Sequence, residues 1–105
     1  MEIRLKDIAE VIRSKNAGPY ELTFDIIFKE WETFKVACEK KIINEKIIAD
    51  LYGIPIKNII NIIEFKPAKA IKVTIIRPIS SGQLGETDVY GAQQHAPLVD
   101  LVVEL

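Results

Sequence analysis

The sequence has a single cysteine, a single histidine and a single tryptophan in 105 residues. The lone Cys38 excludes an internal disulfide and any zinc site built from several thiolates, and it fits a reducing compartment. Neither sign of charge dominates: fourteen Lys and Arg stand against fifteen Asp and Glu, a formal net charge of -1. Such a chain exerts no long-range pull on a phosphate backbone or an anionic bilayer, so nucleic acid and membrane are not expected partners. No apolar run approaches transmembrane length, and Met1 to Lys6 alternates charged with apolar residues where a secretory signal needs an unbroken hydrophobic stretch. The cytoplasm is the expected location. Low-complexity stretches, internal repeats and linkers are likewise missing.

What the sequence does have is the balance of a folded domain, with 49% hydrophobic and 28% charged residues. Its length suits one core and leaves no room for a second. Leu5, Ile8, Ala9 and Ile12 recur at helical spacing, and Ser14 to Pro19 supplies Asn, Gly and Pro as a helix stop, which predicts a short first helix closed by a turn. Tyr20, Leu22, Phe24, Ile26 and Phe28 then alternate with Glu21, Thr23, Asp25 and Ile27, the pattern of a strand with one apolar face. Trp31, Phe34, Lys35 and Cys38 return to helical spacing, followed by a second helix with Ile43, Ile47, Ile48 and Leu51 on one face. Asn44 is its expected N-cap, and Gly53 with Pro55 its stop.

Two β-branched runs, Ile59 to Phe65 and Ala70 to Ile76, flank Lys66 to Lys69 and predict an antiparallel pair. Leu98 to Leu105 alternates as a last strand. Together these predict an α+β fold, a largely antiparallel sheet of about four strands with helices packed on one face. The exception to this regular plan is Pro78 to Pro97, a long polar connection of a kind that usually carries function in so small a domain.

Two polar segments hold the candidate chemistry. His95 and Asp88 are the candidate proton-transfer groups, with Thr87, Tyr90, Gln93 and Gln94 beside them as ligand-binding groups. The structural alternative is that this segment satisfies its own backbone over the sheet edge. Arg13, Ser14, Lys15 and Asn16 offer two cations and two hydrogen-bonding side chains for a carboxylate or phosphate. Their alternative role is to complement the helix dipole at a helix end. The two segments are expected to meet and form one polar site. The glycines of SSGQLGETDVYG fit neither a phosphate loop nor a dinucleotide fingerprint, so no cofactor is assigned, and no metal site is indicated. Glu21 and Asp25 lie too far apart along a strand to work as a pair, and solvent or a partner surface is their expected neighbour. Cys38, Trp31 and Phe34 are expected in the core, with the thiol buried and inert.

The segments VIRSKNAGPYELTFDIIF, Ala49-Asp50-Leu51-Tyr52-Gly53, Pro67 to Thr74 and GETDVYGAQQHAPLVDL together resemble the small bacterial family called domain of unknown function 4387. Members of that family stand alone or are fused to AtuA-like (acyclic terpene utilisation) proteins, which implies a two-component system with a larger AtuA-like partner. The resemblance supplies a partner and no reaction. It covers both polar segments: Arg13, Ser14, Lys15 and Asn16, then Thr87, Asp88, Tyr90, Gln93, Gln94 and His95. Two functions are therefore expected as alternatives. One is a small subunit or accessory domain of an enzyme system acting on a small carboxylate or acyl compound, a small anionic ligand. The other is a non-catalytic module that docks on the larger protein. Homo-oligomer formation stays open.

Overall fold

Alternation at Leu22, Phe24, Ile26 and Phe28 gives the chain its central strand, and all four side chains are buried in the core. The structure is a computed structural model that describes residues 2–18, 20–76 and 96–105. In chain order it contains β1 (Glu2–Arg4), α1 (Leu5–Ile8), β2 (Ala9–Gly18), β3 (Glu21–Phe28), α2 (Trp31–Lys40), α3 (Glu45–Tyr52), β4 (Ile59–Phe65), β5 (Ala70–Ile76), α4 (Ala96–Val99) and β6 (Val102–Glu104). Short 3-10 turns precede β4 and join it to β5.

The main sheet is four-stranded in the order β2-β3-β5-β4, and every pairing in it is antiparallel. Phe34, Ala37 and Ile48 of α2 and α3 belong to the same core cluster as the even positions of β3, so the helices cover one face, here called the inner face. The Phe24 ring meets Tyr52 at 4.7 Å between centroids, and Phe28 meets Phe34 edge-on at 5.9 Å. Asn44 caps α3 by accepting a hydrogen bond from the Ile47 amide at 3.0 Å. Gly53 ends that helix at a positive φ of 64°, a conformation that a side chain disfavours. The α+β class, the single covered face and the β4–β5 pair agree with the sequence reading.

Two elements differ from it. The segment from Ala9 to Gly18 is a strand, so Arg13, Ser14, Lys15 and Asn16 lie in β2 and not in a turn closing a helix. Only Leu5–Ile8 is helical there. A register shift between Ala9 and Val11 breaks the alternation of β2 and leaves spacings that imitate a helix, while pairing with β3 overrides the local pattern. At the other end, Leu98 to Leu105 is not one strand. Pro97 falls in the first turn of α4, where its missing amide is not needed, and only Val102–Glu104 is extended. That short strand pairs with β1 in a separate two-stranded sheet. Leu5, Leu98 and Val103 tie this ribbon into the common core.

Candidate functional site

Residues that face one another across an antiparallel ladder share a face of the sheet. The register sets Arg13 opposite Asp25 and Asp25 opposite Lys72, which gathers one acid and two bases on the outer face, away from the helices. Arg13 Nε donates to Asp25 Oδ2 at 3.0 Å, and Lys72 Nζ donates to Oδ1 at 3.3 Å. Although it lies on the outer face, Asp25 is only 2% exposed, roofed by the side chains that neutralise it. Burial alone would push its carboxyl up, but the Arg13 guanidinium and the Lys72 ammonium outweigh that and hold it below the usual carboxylate range. The Lys72 ammonium also stands 5.7 Å from the centre of the Phe65 ring. In the next row Thr23 and Thr74 share a hydrogen bond at 3.2 Å, with Lys15 opposite Thr23 and Asn61 opposite Thr74.

This geometry revises the expected ligand site. Alternation along β2 sends Arg13 and Lys15 to the outer face, and sends Ser14, opposite Phe24, and Asn16, opposite Leu22, to the inner face. The four cannot converge on one ligand. Arg13 is committed to Asp25, and Ser14 is buried. Asp25, expected to face solvent or a partner, is instead the enclosed centre of the cluster. No local pattern marks Lys72 as a partner of Asp25, because their pairing is non-local. The Arg13–Asp25 contact did have a signal: with Gly18-Pro19 taken as a hairpin turn, counting outward from residue 19 pairs the two. Thr87, Asp88, Tyr90, Gln93, Gln94 and His95 lie outside the described residues, as does the expected meeting of the two polar segments.

A second feature is a groove of about 430 Å³ between α2 and the end of β4, lined by Trp31, Phe34, Cys38, Lys41, Glu64 and Lys66 among others. Trp31 is not a core residue as expected. It is 47% exposed and leans on Phe34, with 5.4 Å between ring centroids. Cys38 is half-buried in the groove wall instead of enclosed in the core. Burial, reinforced by the Glu64 carboxylate, pushes its thiol up to about 11. At pH 8 its thiolate fraction is therefore about 100-fold below that of an ordinary cysteine. Alkylation of the folded protein should be slower by that factor and should keep accelerating with pH until about 11. A rate that levels off near pH 9 would contradict this environment.

Among the described residues no three His, Cys, Asp or Glu side chains cluster in a way that could hold a metal ion. No helix there is long and apolar enough to cross a membrane. No curated protein and no solved structure matches the chain. The family model described as Domain of unknown function (DUF4387) matches residues 5–102. With nearly its whole length covered, from α1 through the start of β6, the chain belongs to the DUF4387 family.

Proposed function

We propose that this chain is the small subunit or accessory domain of a two-component system whose larger member is an AtuA-like protein acting on a small carboxylate or acyl compound, and that its described residues serve docking. One observation carries the reading: no described element covers the outer face of the four-stranded sheet, although Val11, Ile63, Phe65 and Ile76 are exposed around the Arg13–Asp25–Lys72 cluster. Exposed apolar side chains set around a rigid, internally neutralised ion cluster suit a protein surface better than a small ligand. Lys15 projects from this face with no ion-pair partner among the described residues. The complementary surface on the larger protein is apolar with carboxylates set against Lys15.

The catalytic alternative draws on a separate observation. β2 and β5 both run antiparallel to β3, so they are parallel to each other, and their final residues Gly18 and Ile76 end at the same side of the sheet. With strands about 4.8 Å apart, those ends are separated by roughly 10 Å. The described part of β5 therefore ends beside the end of β2, and His95 and Asp88 follow it in the sequence. In this alternative those two groups act in proton transfer within the complex.

Coexpression with an AtuA-like protein separates the two readings. Val11→Glu combined with Lys15→Glu changes two exposed outer-face positions and should abolish copurification, while His95→Ala should leave the complex intact. Retention of the double variant at the wild-type level would sink docking through this face. Loss of turnover in an intact His95→Ala complex would favour the catalytic alternative.

A further inference from the structure

We infer that the groove between α2 and β4 binds a small organic monocarboxylate with a planar apolar body. Its volume of about 430 Å³ lies within the range of small-molecule sites. Trp31 supplies a stacking surface: its ring leans on Phe34 at a tilt of 38°, and 47% of the residue stays open to solvent. An indole propped by a buried ring and left uncovered loses little further freedom when a second flat group stacks on it. Lys35, Lys41 and Lys66 stand around the same space, one from α2, one from the residue that caps α2, and one from the turn after β4.

Charge sets the sign of the ligand. Against these three ammonium groups the groove holds two carboxylates, Glu39 and Glu64, which leaves an excess of one positive charge. None of the three lysines forms an ion pair among the described residues. Lys35 precedes Glu39 by one helical turn, the less favourable order for such a pair. Glu64 stands instead beside the Cys38 thiol. The ammonium groups are therefore available to an incoming anion, and a single carboxylate brings the groove to neutrality. A neutral ring would forgo that attraction, and an anion without a ring would leave Trp31 uncovered. Glu64 lies opposite the buried Ile71, which puts the groove on the helix side of the sheet. The site is thus separate from the outer face and does not rest on docking there.

The full chain alone, labelled with nitrogen-15, tests the inference, because its single tryptophan gives one indole N–H signal that belongs to Trp31. The probe is cinnamate, a carboxylate on a flat conjugated body. We expect a saturable shift of the indole signal with a Kd of about 1 mM or tighter. The neutral analogue cinnamamide should bind at least about tenfold more weakly, and acetate at the same concentrations should leave the signal in place. Lys35→Gln combined with Lys66→Gln changes two exposed positions and should weaken cinnamate binding by at least about tenfold. An otherwise unchanged amide spectrum checks that this variant keeps its fold. No saturable shift up to about 10 mM cinnamate would overturn the inference. So would equal binding of cinnamamide, or cinnamate binding that the lysine variant leaves unaltered.

Discussion

Phe24→Ala is expected to cost about 3 to 5 kcal/mol of folding stability, enough to leave a domain of this size marginal or unfolded. Phe24 sits at the middle of the central strand, is fully buried, and stacks on Tyr52 of α3. Its neighbours across the ladder are Ser14 and Val73, so the ring holds three strands and a helix in register at once. Backbone pairing fixes the walls of the space it fills, which limits how far the core can collapse into the cavity. Chemical denaturation measures the loss directly through a lower midpoint at unchanged slope. A loss under about 1 kcal/mol would mean that this side chain does not organise the core.

The second large effect concerns Asp25. Replacing both of its cations, Arg13→Met with Lys72→Met, leaves a buried carboxylate with no counter-charge and should cost about 3 kcal/mol at neutral pH. Arg13 and Lys72 are themselves partly exposed, and solvent reaching the vacated positions keeps the loss at the low end of the range for buried pairs. The pH dependence should change sign. In the native protein the folded carboxyl lies below its ordinary value of 3.8, so its contribution is complete above that value and is lost as pH falls through the lower, folded one. In the double variant only burial remains, the folded carboxyl rises above 3.8, and the deficit at neutral pH shrinks as the solution is acidified towards 4. Equal deficits at pH 7 and pH 4.5 would contradict the assignment of Asp25 as a buried, cation-held charge.

Elements whose own residues set their pattern could be read from the sequence. β3 alternates with period two from Glu21 to Ile26, α3 begins after its cap Asn44 and ends on Gly53, and β4 and β5 are β-branched runs around a tight connection. β2 is not legible in the local pattern, because a bulge shifts its phase next to four residues that are helical. The last segment is no more legible, because Leu98 enters the core from a turn of helix and leaves only Val102–Glu104 to pair with β1 at the other end of the chain. Local pattern carries no record of such a distant partner.

The candidate site divides along the same line. Arg13 and Lys15 were singled out for their charge, and the structure keeps them on one face, but strand alternation removes Ser14 and Asn16 to the other. On its own strand the only other acidic residue near Asp25 is Glu21. Its true partners are Arg13 and Lys72 on the two neighbouring strands, so its role became visible only with the order β2-β3-β5-β4. Trp31 fits the helical stripe that marks a core face, yet it lies at the rim where α2 runs past the sheet edge, and a stripe does not say where its covering layer stops.

If the outer face of the main sheet is the proposed docking surface, a larger protein bound there must perturb its residues. Nitrogen-15 chemical-shift mapping of the labelled chain, titrated with the proposed AtuA-like partner, reads that perturbation. The largest changes are expected on Val11, Arg13, Lys15, Thr23, Lys72 and Thr74, whose side chains share that face. Changes confined to α2 and α3, with the outer-face residues unmoved, would contradict it.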